Sequence, residues 1–168
     1  MNLYTMRDVT DDDHHWLVEL HNDPLVLKNL TNPTPITLND HMKWWGTIDG
    51  KTEIRKIFCV NGEKVGFCKF YKIDHNNLNC VLGADIHITH RGKGYSKPMW
   101  RLMLNFCYDT LKLKRTGLTT VEYNHIGQRV YKYLGFKVEG KLLKSLLREG
   151  KWYDQICMYH LSDWEITP

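Results

Sequence analysis

At 168 residues the chain has room for one well-buried core, and a second domain would be cramped. Its 42% hydrophobic and 25% charged residues suit a soluble globular protein, and the net charge of +4 comes from scattered basic residues that give no argument for a nucleic-acid partner. Five cysteines (Cys59, Cys68, Cys80, Cys107 and Cys157) form no Cys-x-x-Cys pair, which speaks against a disulfide framework and a zinc site and for reduced thiols in the cytoplasm.

The N-terminal run through His15 lacks the apolar stretch of a secretory signal, and no segment approaches the ~18 apolar residues of a membrane span. A first helix is expected from Thr10, an N-cap before Asp11, Asp12 and Asp13, with Trp16, Leu17 and Leu20 as its apolar stripe. Asn22-Asp23-Pro24 breaks it, and Leu25 to Leu30 can add a turn or two. Thr31-Asn32-Pro33-Thr34-Pro35 reads as a rigid loop, because each proline restricts itself and the residue before it. A second helix starts at Thr37, with Asp40 as capping-box partner and Met42, Trp45 and Ile48 along one side.

Strands follow. Lys56 to Val60 and Lys64 to Ile73 flank the hairpin turn Asn61-Gly62. His75-Asn76-Asn77 turns into a strand over Cys80 to Ile88. A helix then carries Met99, Leu102, Met103, Phe106 and Cys107 at helical spacing, with Pro98 in its first turn. Leu118 to Glu122 reads as a strand. Ile126 to Leu134 reads as a helix ended by Gly135, and Phe136 to Leu147 with Trp152 to Leu161 as a hairpin around Glu149-Gly150. The order gives a mixed α/β domain with a largely antiparallel sheet, without the βαβ rhythm of a doubly wound fold.

The most telling stretch is Ile86-His87-Ile88-Thr89-His90-Arg91-Gly92-Lys93-Gly94-Tyr95-Ser96. A strand enters a glycine-rich turn that opens a helix. Such a turn points several N–H groups at one place, and the helix N-terminus adds positive potential there. Its natural guest is a pyrophosphate, with Arg91 and Lys93 beside it. The turn is neither a Walker loop nor a dinucleotide fingerprint, whose third glycine is missing.

Three segments together resemble the GNAT superfamily of N-acetyltransferases: Arg91-Gly92-Lys93-Gly94-Tyr95-Ser96; Asn124 leading to Tyr131 and Leu134-Gly135-Phe136; and Glu139-Gly140 followed by Trp152-Tyr153-Asp154. The match runs from about Lys64 to Leu161, and more weakly from Met6. Ser96 departs from the family's Gly or Ala. Within the superfamily the chain is most similar to the amino-sugar, ribosomal-protein and spermidine branch. The resemblance implies one GNAT-like α/β (α+β) domain over residues 1–168, with a mostly antiparallel mixed sheet, helices on both faces and a splayed central strand pair.

The resemblance further implies acetyl-CoA as co-substrate, with no metal. The turn from Arg91 through Gly92, Lys93, Gly94 and Tyr95 to Ser96 would hold its pyrophosphate. The strand segment Ile86, His87 and Ile88 would pair with the pantetheine, and Asn124 would touch its lower portion. Tyr131 would stand near the thioester sulfur as general acid for the leaving thiolate, a sensible role because that charge develops only in the transition state.

Many family members carry a Glu two residues before the strand glycine, where this chain has Val81 before Leu82-Gly83. An amine of pKa ~10.4 is neutral only rarely at pH 7, a handicap of about 4.6 kcal/mol, whereas an amine of pKa ~8 loses about 1.4 kcal/mol. A low-pKa amine, such as an amino-sugar nitrogen or a protein α-amine, suits a site without that carboxylate. Asp85 shares Val81's strand face and is the replacement base to test first, with Glu122 second. His87 and His90, three apart on a presumed strand, would face opposite ways and make no metal pair.

By resemblance, His14, His15 and His21 on the first helix would line the acceptor cleft. His21, Asn22, Trp44, Trp45, Trp152 and Tyr153 are candidate acceptor contacts, the aromatics as stacking surfaces. The leading expectation is transfer to the amino group of a nucleotide-linked amino sugar. The alternatives are a protein N-terminal or polyamine acetyltransferase, or a CoA-binding module without catalysis. Against spermidine stands the lack of an obvious acidic cluster. A homodimer is an expectation from the resemblance alone.

Overall fold

The computed structural model describes residues 2–162. Its strands are β1 (Tyr4–Asp8), β2 (Ile54–Val60), β3 (Glu63–Asp74), β4 (Asn79–Ile86), β5 (Arg115–Val121), β6 (Lys137–Arg148) and β7 (Lys151–Leu161). Its helices are α1 (His14–Asn22), α2 (Pro24–Asn29), α3 (Leu38–Trp45), α4 (Ser96–Asn105) and α5 (His125–Tyr133). One sheet takes all seven strands in the order β1-β2-β3-β4-β5-β7-β6.

Strands β1 to β4 form an antiparallel meander, and β5, β7 and β6 form an antiparallel second half. The halves meet through β4 and β5, the one parallel pair, which register only over Asn79–Val81 and Arg115–Gly117. Beyond Val81 and Gly117 these two strands separate. Among the described residues, the edge of β4 facing β5 is thereby left without a strand partner over Leu82 to Ile86.

Alternation along the strands supplies both faces of the sheet with apolar side chains. Ile57, Cys59 and Phe67 pack under Leu17, Leu20 and Val26 of α1 and α2. Phe58, Cys68, Phe70 and Leu82 pack against Met99, Trp100 and Met103 of α4. Each such fully buried side chain contributes about 1.5–3 kcal/mol. The helices therefore cover both faces, as the resemblance implied. All five cysteines are free; Cys59, Cys68, Cys80 and Cys107 are buried and Cys157 is half-buried.

Several expected boundaries move. Strand β1 stands where no element was expected; it is short, and its definition comes from distant pairing, Tyr4 with Val60 through Asp8 with Lys56. Thr10 does cap, but over a 3-10 turn of Asp11–Asp13, and α1 starts at His14. The carboxylate of Asp13 turns inward to accept from Arg7 at 2.6 and 2.9 Å. The second helix keeps its Thr37–Asp40 capping box, yet it buries His41 and leaves Met42 exposed. Strand β4 ends at Ile86, and a 3-10 turn of Ile88–His90 comes before the glycines. Along α4 the fully buried side chains are Met99, Trp100, Met103 and Leu104, with Leu102 only partly buried, and a π turn over Phe106–Thr110 extends the helix. The Asn61-Gly62 hairpin forms as expected; φ is positive at both residues (52° and 84°), as its tight turn requires.

Candidate active site

The glycine turn lies where β4 hands the chain to α4. Gly92 and Gly94 adopt φ of 76° and 80°, and a Cβ on either would meet no atom within 4 Å. Side chains normally avoid that backbone region, and glycine alone leaves the turn's amides uncovered. No side chain caps the first turn of α4, and no acidic residue lies in it. Uncapped N–H groups beside an open turn fit a diphosphate. Lys93 is exposed beside the turn.

Arg91 is not free beside the turn. Its Nε donates to the Ile86 carbonyl at 3.0 Å and its Nη2 to Asp23 Oδ1 at 2.7 Å. Among the described residues, its buried Nη1 has no partner. Ile88 leaves the strand and is exposed, so of the expected pantetheine strand only Ile86 is strand backbone. His87 stacks on Trp16 at 5.3 Å, and its Nδ1 meets Thr89 Oγ1 at 2.9 Å. His87 and His90 do not face opposite ways: the 3-10 turn brings their rings within 6.3 Å. Among the described residues no group of three possible ligands gathers for a metal.

Tyr131 projects from α5 with its ring edge-on to Trp100 at 4.8 Å and to Phe136 at 6.1 Å. Burial holds its phenol well above the ordinary value; Asp85 adds to the rise and Lys69 opposes it. The hydroxyl is thus a protonated donor across the physiological range. Asn124 caps α5: its Oδ1 accepts from Gly127 N at 3.1 Å, and its Nδ2 donates to Thr120 Oγ1 at 3.0 Å. Its amide is therefore committed to the helix start.

On the α1 face of the sheet the apolar pattern gives way to a polar group. Arg55 lies opposite Lys69, Lys69 opposite Gly83, and Tyr71 opposite Val81. Lys69 Nζ donates to Asp85 Oδ2 at 2.5 Å. Burial alone would lower the Lys69 pKa, but the adjacent carboxylate outweighs it and holds the ammonium charged. Arg55 pairs with Glu53 at 2.7 Å, donates to the Phe70 carbonyl at 2.9 Å and lies 4.4 Å from the Tyr71 ring. Sequence reasoning passed over Lys69, Tyr71 and Arg55; Lys69 and Arg55 showed only as charge at alternate positions beside Phe67 and Ile57, and Tyr71 not even as that.

The expected acceptor residues separate into two groups. Trp45 packs on His14 and His41, and Trp44 lies over Arg55 at 5.5 Å. Asn22 exchanges two 2.9 Å hydrogen bonds with the Ile36 backbone, and His21 meets the Thr34 carbonyl at 3.2 Å. Tyr153 packs on Tyr123 at 4.9 Å, while Trp152 stays exposed on the hairpin. Glu122 accepts from Asp154 N at 3.0 Å, which fixes the end of β5 against β7. Arg148 donates to the carbonyls of Leu30 and Thr31, and Tyr123 donates to that of Lys28 at 2.7 Å. The hairpin and the end of β5 thus tie down α2 and the loop after it.

A family model for an acetyltransferase (GNAT) domain matches residues 4–137. The chain belongs to the GNAT acetyltransferase family. The matched segment of this GNAT chain includes α1 to α3 and stops before nearly all of the β6–β7 hairpin. It is 28% identical to the L-amino acid N-acetyltransferase AaaT of Escherichia coli, over 94% of this chain and 98% of that one. It is 28% identical to the uncharacterized N-acetyltransferase YokL of Bacillus subtilis, over 80% and 77% of the two chains. The crystal structure of a spermidine N-acetyltransferase from Vibrio cholerae with CoA and spermine superposes with a TM-score of 0.89 at 20% identity, over 94% and 95%. The GNAT chain is an N-acetyltransferase with the GNAT fold. Among the described residues no helix is long and apolar enough to cross a membrane.

Proposed function

We propose that this acetyltransferase uses acetyl-CoA to acetylate the α-amino group of a small amino acid-like molecule. The observation that carries the acceptor class is the pairing on the α1 face of the sheet: Lys69 holds Asp85, and Arg55 holds Glu53. A polycation would meet a cation beside each of these two carboxylates. The loop between α2 and α3, Leu30 to Thr37, carries no acidic residue. An acceptor with its own carboxylate meets a surface already rich in cations.

The nucleotide-linked amino sugar expected from the sequence loses its support. Asn22 and Trp45, two of its proposed contacts, are committed to the loop backbone and to the histidine pair. The relatives described above are named for L-amino acids or spermidine where they are named for a substrate. A polyamine is the second reading, favoured by the close fold match to the spermidine enzyme.

Acetyl-CoA supplies an activated acyl thioester. The amides of Gly92 to Ser96 and the charge of Lys93 would receive its diphosphate, and the unpaired edge of β4 at Ile86 its pantetheine. Tyr131 would give its proton to the sulfur as the amine's C–N bond forms and the C–S bond breaks. Asp85 would take the proton that the amine must lose. The ammonium of a free amino acid titrates above the ~8 of a peptide α-amine, so its deprotonation at neutral pH calls on that base.

The test is thiol release from acetyl-CoA across L-amino acids, N-terminal peptides, spermidine and UDP-linked amino sugars. Turnover of an L-amino acid at least tenfold above spermidine is expected. Preference for spermidine or for a sugar nucleotide would overturn the acceptor class.

A further inference from the structure

We propose that the Lys69–Asp85 ion pair is the device that recognises the acceptor, with Lys69 taking the carboxylate and Asp85 the α-ammonium of a zwitterionic amino acid. This rests on the acceptor class given above and names the residues that would read it.

The pair is built into the sheet. Lys69 lies opposite Gly83, and Asp85 is two residues along the same strand face. A Cβ on Gly83 would come within 3.2 Å of the Tyr71 ring and 3.4 Å of Lys69 Cε. The missing side chain is thus what lets Lys69 and Tyr71 lie across β4, and so lets Nζ reach Asp85.

Both side chains are largely out of water, 12% and 18% exposed, yet neither is sealed. Lys69 has three N–H bonds and gives one to Asp85; Asp85 Oδ1 accepts none among the described residues. The site therefore offers an open donor cation beside an open acceptor anion. A zwitterion presents the same two charges a few ångströms apart, in the reverse sense. Docked head to tail, the four charges alternate, and each open hydrogen-bonding group finds a partner.

A pair this deep is a weak stabilising device, because desolvating both ions offsets much of their attraction. Recognition gives it a second reason to be there. Its place favours that role: Asp85 lies on the last strand turn before the splayed edge reaches the donor site, and both charges act on Tyr131.

The experiment compares the best L-amino acid of the panel with its carboxamide, which keeps the amine and removes the carboxylate charge. In the wild type, kcat/KM for the acid should exceed that for the carboxamide by on the order of 10–100-fold. In Lys69→Met that ratio should fall to near 1, and Lys69→Arg should restore most of it. Lys69→Gln keeps a neutral donor beside Asp85, so its ratio should also be near 1 even if Lys69→Met folds poorly. Calorimetric CoA binding reports that the donor site is intact in each. An unchanged ratio in Lys69→Met or in Lys69→Gln would overturn the pair's role while leaving the acceptor class standing. No turnover of any amino acid by the wild type would overturn both.

Discussion

The Arg91 guanidinium reaches from the donor turn to Asp23, donating Nη2 to Oδ1 at 2.7 Å across 68 positions of sequence. The same carboxylate oxygen accepts from the amides of Leu25 and Val26 at 3.0 and 3.2 Å and so caps α2. One buried carboxyl therefore fastens the start of α2 to the turn proposed for the diphosphate. Burial alone would raise the Asp23 pKa, but the Arg91 charge and the two amides outweigh it and hold the group below the usual carboxylate range.

Asp23→Asn should keep most of the cap and lose the charge that answers Arg91. A loss of about 2 kcal/mol at pH 7 is expected from urea unfolding, together with a higher KM for acetyl-CoA. The depressed pKa means that this contribution is full above pH ~3.9 and disappears as the pH falls through the folded value. The variant should therefore differ from wild type at pH 7 and approach it in strong acid.

Tyr131→Phe removes the hydroxyl and keeps the ring against Trp100 and Phe136. If the phenol protonates the leaving sulfur, kcat should fall by roughly 10²-fold or more with little change in KM or in melting temperature. A kcat within threefold of wild type would remove Tyr131 from the chemistry. Because its pKa is raised, the wild type should show no alkaline decline from this group below pH ~10.

His41 is buried between α1 and α3, 3.0 Å from the Nδ1 of His14 and packed on Trp45. Burial, then the charges of His14 and His21, push its pKa down to about 4. Below pH ~6.5 the unfolded chain binds a proton that the folded chain refuses. Stability should thus be full above pH 6.5 and decline toward pH 4, by up to about 3 kcal/mol. Denaturant titrations of wild type and His41→Gln should diverge over that window; parallel curves would place the pH sensitivity elsewhere.

Two glycines separate packing from binding. A Cβ at position 66 would sit 2.8 Å from the Asp85 carbonyl and 2.9 Å from Met99 Sδ, so Gly66→Ala should destabilise by about 1–3 kcal/mol. A Cβ at position 94 meets nothing, but φ there is +80°. Gly94→Ala should cost about 1–2 kcal/mol in strain and place a methyl over the uncovered amides. Calorimetry should then show CoA affinity reduced at least tenfold in Gly94→Ala and much less in Gly66→Ala.

The order of elements was legible wherever local physics decides it. The Thr37–Asp40 capping box, the Asn61-Gly62 turn, the helical spacing of Met99 with Met103 and the glycines after His90 each act within a few residues, and each appears where the sequence put it. Strand β1 was not legible, because five residues of weak alternation become a strand only when β2 pairs with them. Asn124 and Arg91 carried family motifs, yet the side-chain bonds they make depend on Thr120 and Asp23, which sequence spacing does not place.

By itself, then, the sequence determined the family and the amide-rich turn ahead of α4, since backbone dihedrals and helix ends are short-range matters. Only the tertiary structure decided what the α1 face of the sheet and the elements around it look like: that Lys69 answers Asp85, that Arg55 lies between Glu53 and the Tyr71 ring, and that Asn22 and Trp45 belong to the scaffold. Those pairings follow from strand register and from which helix lies over which strand. Both are settled by the long-range burial of apolar faces rather than by anything near each residue in the chain.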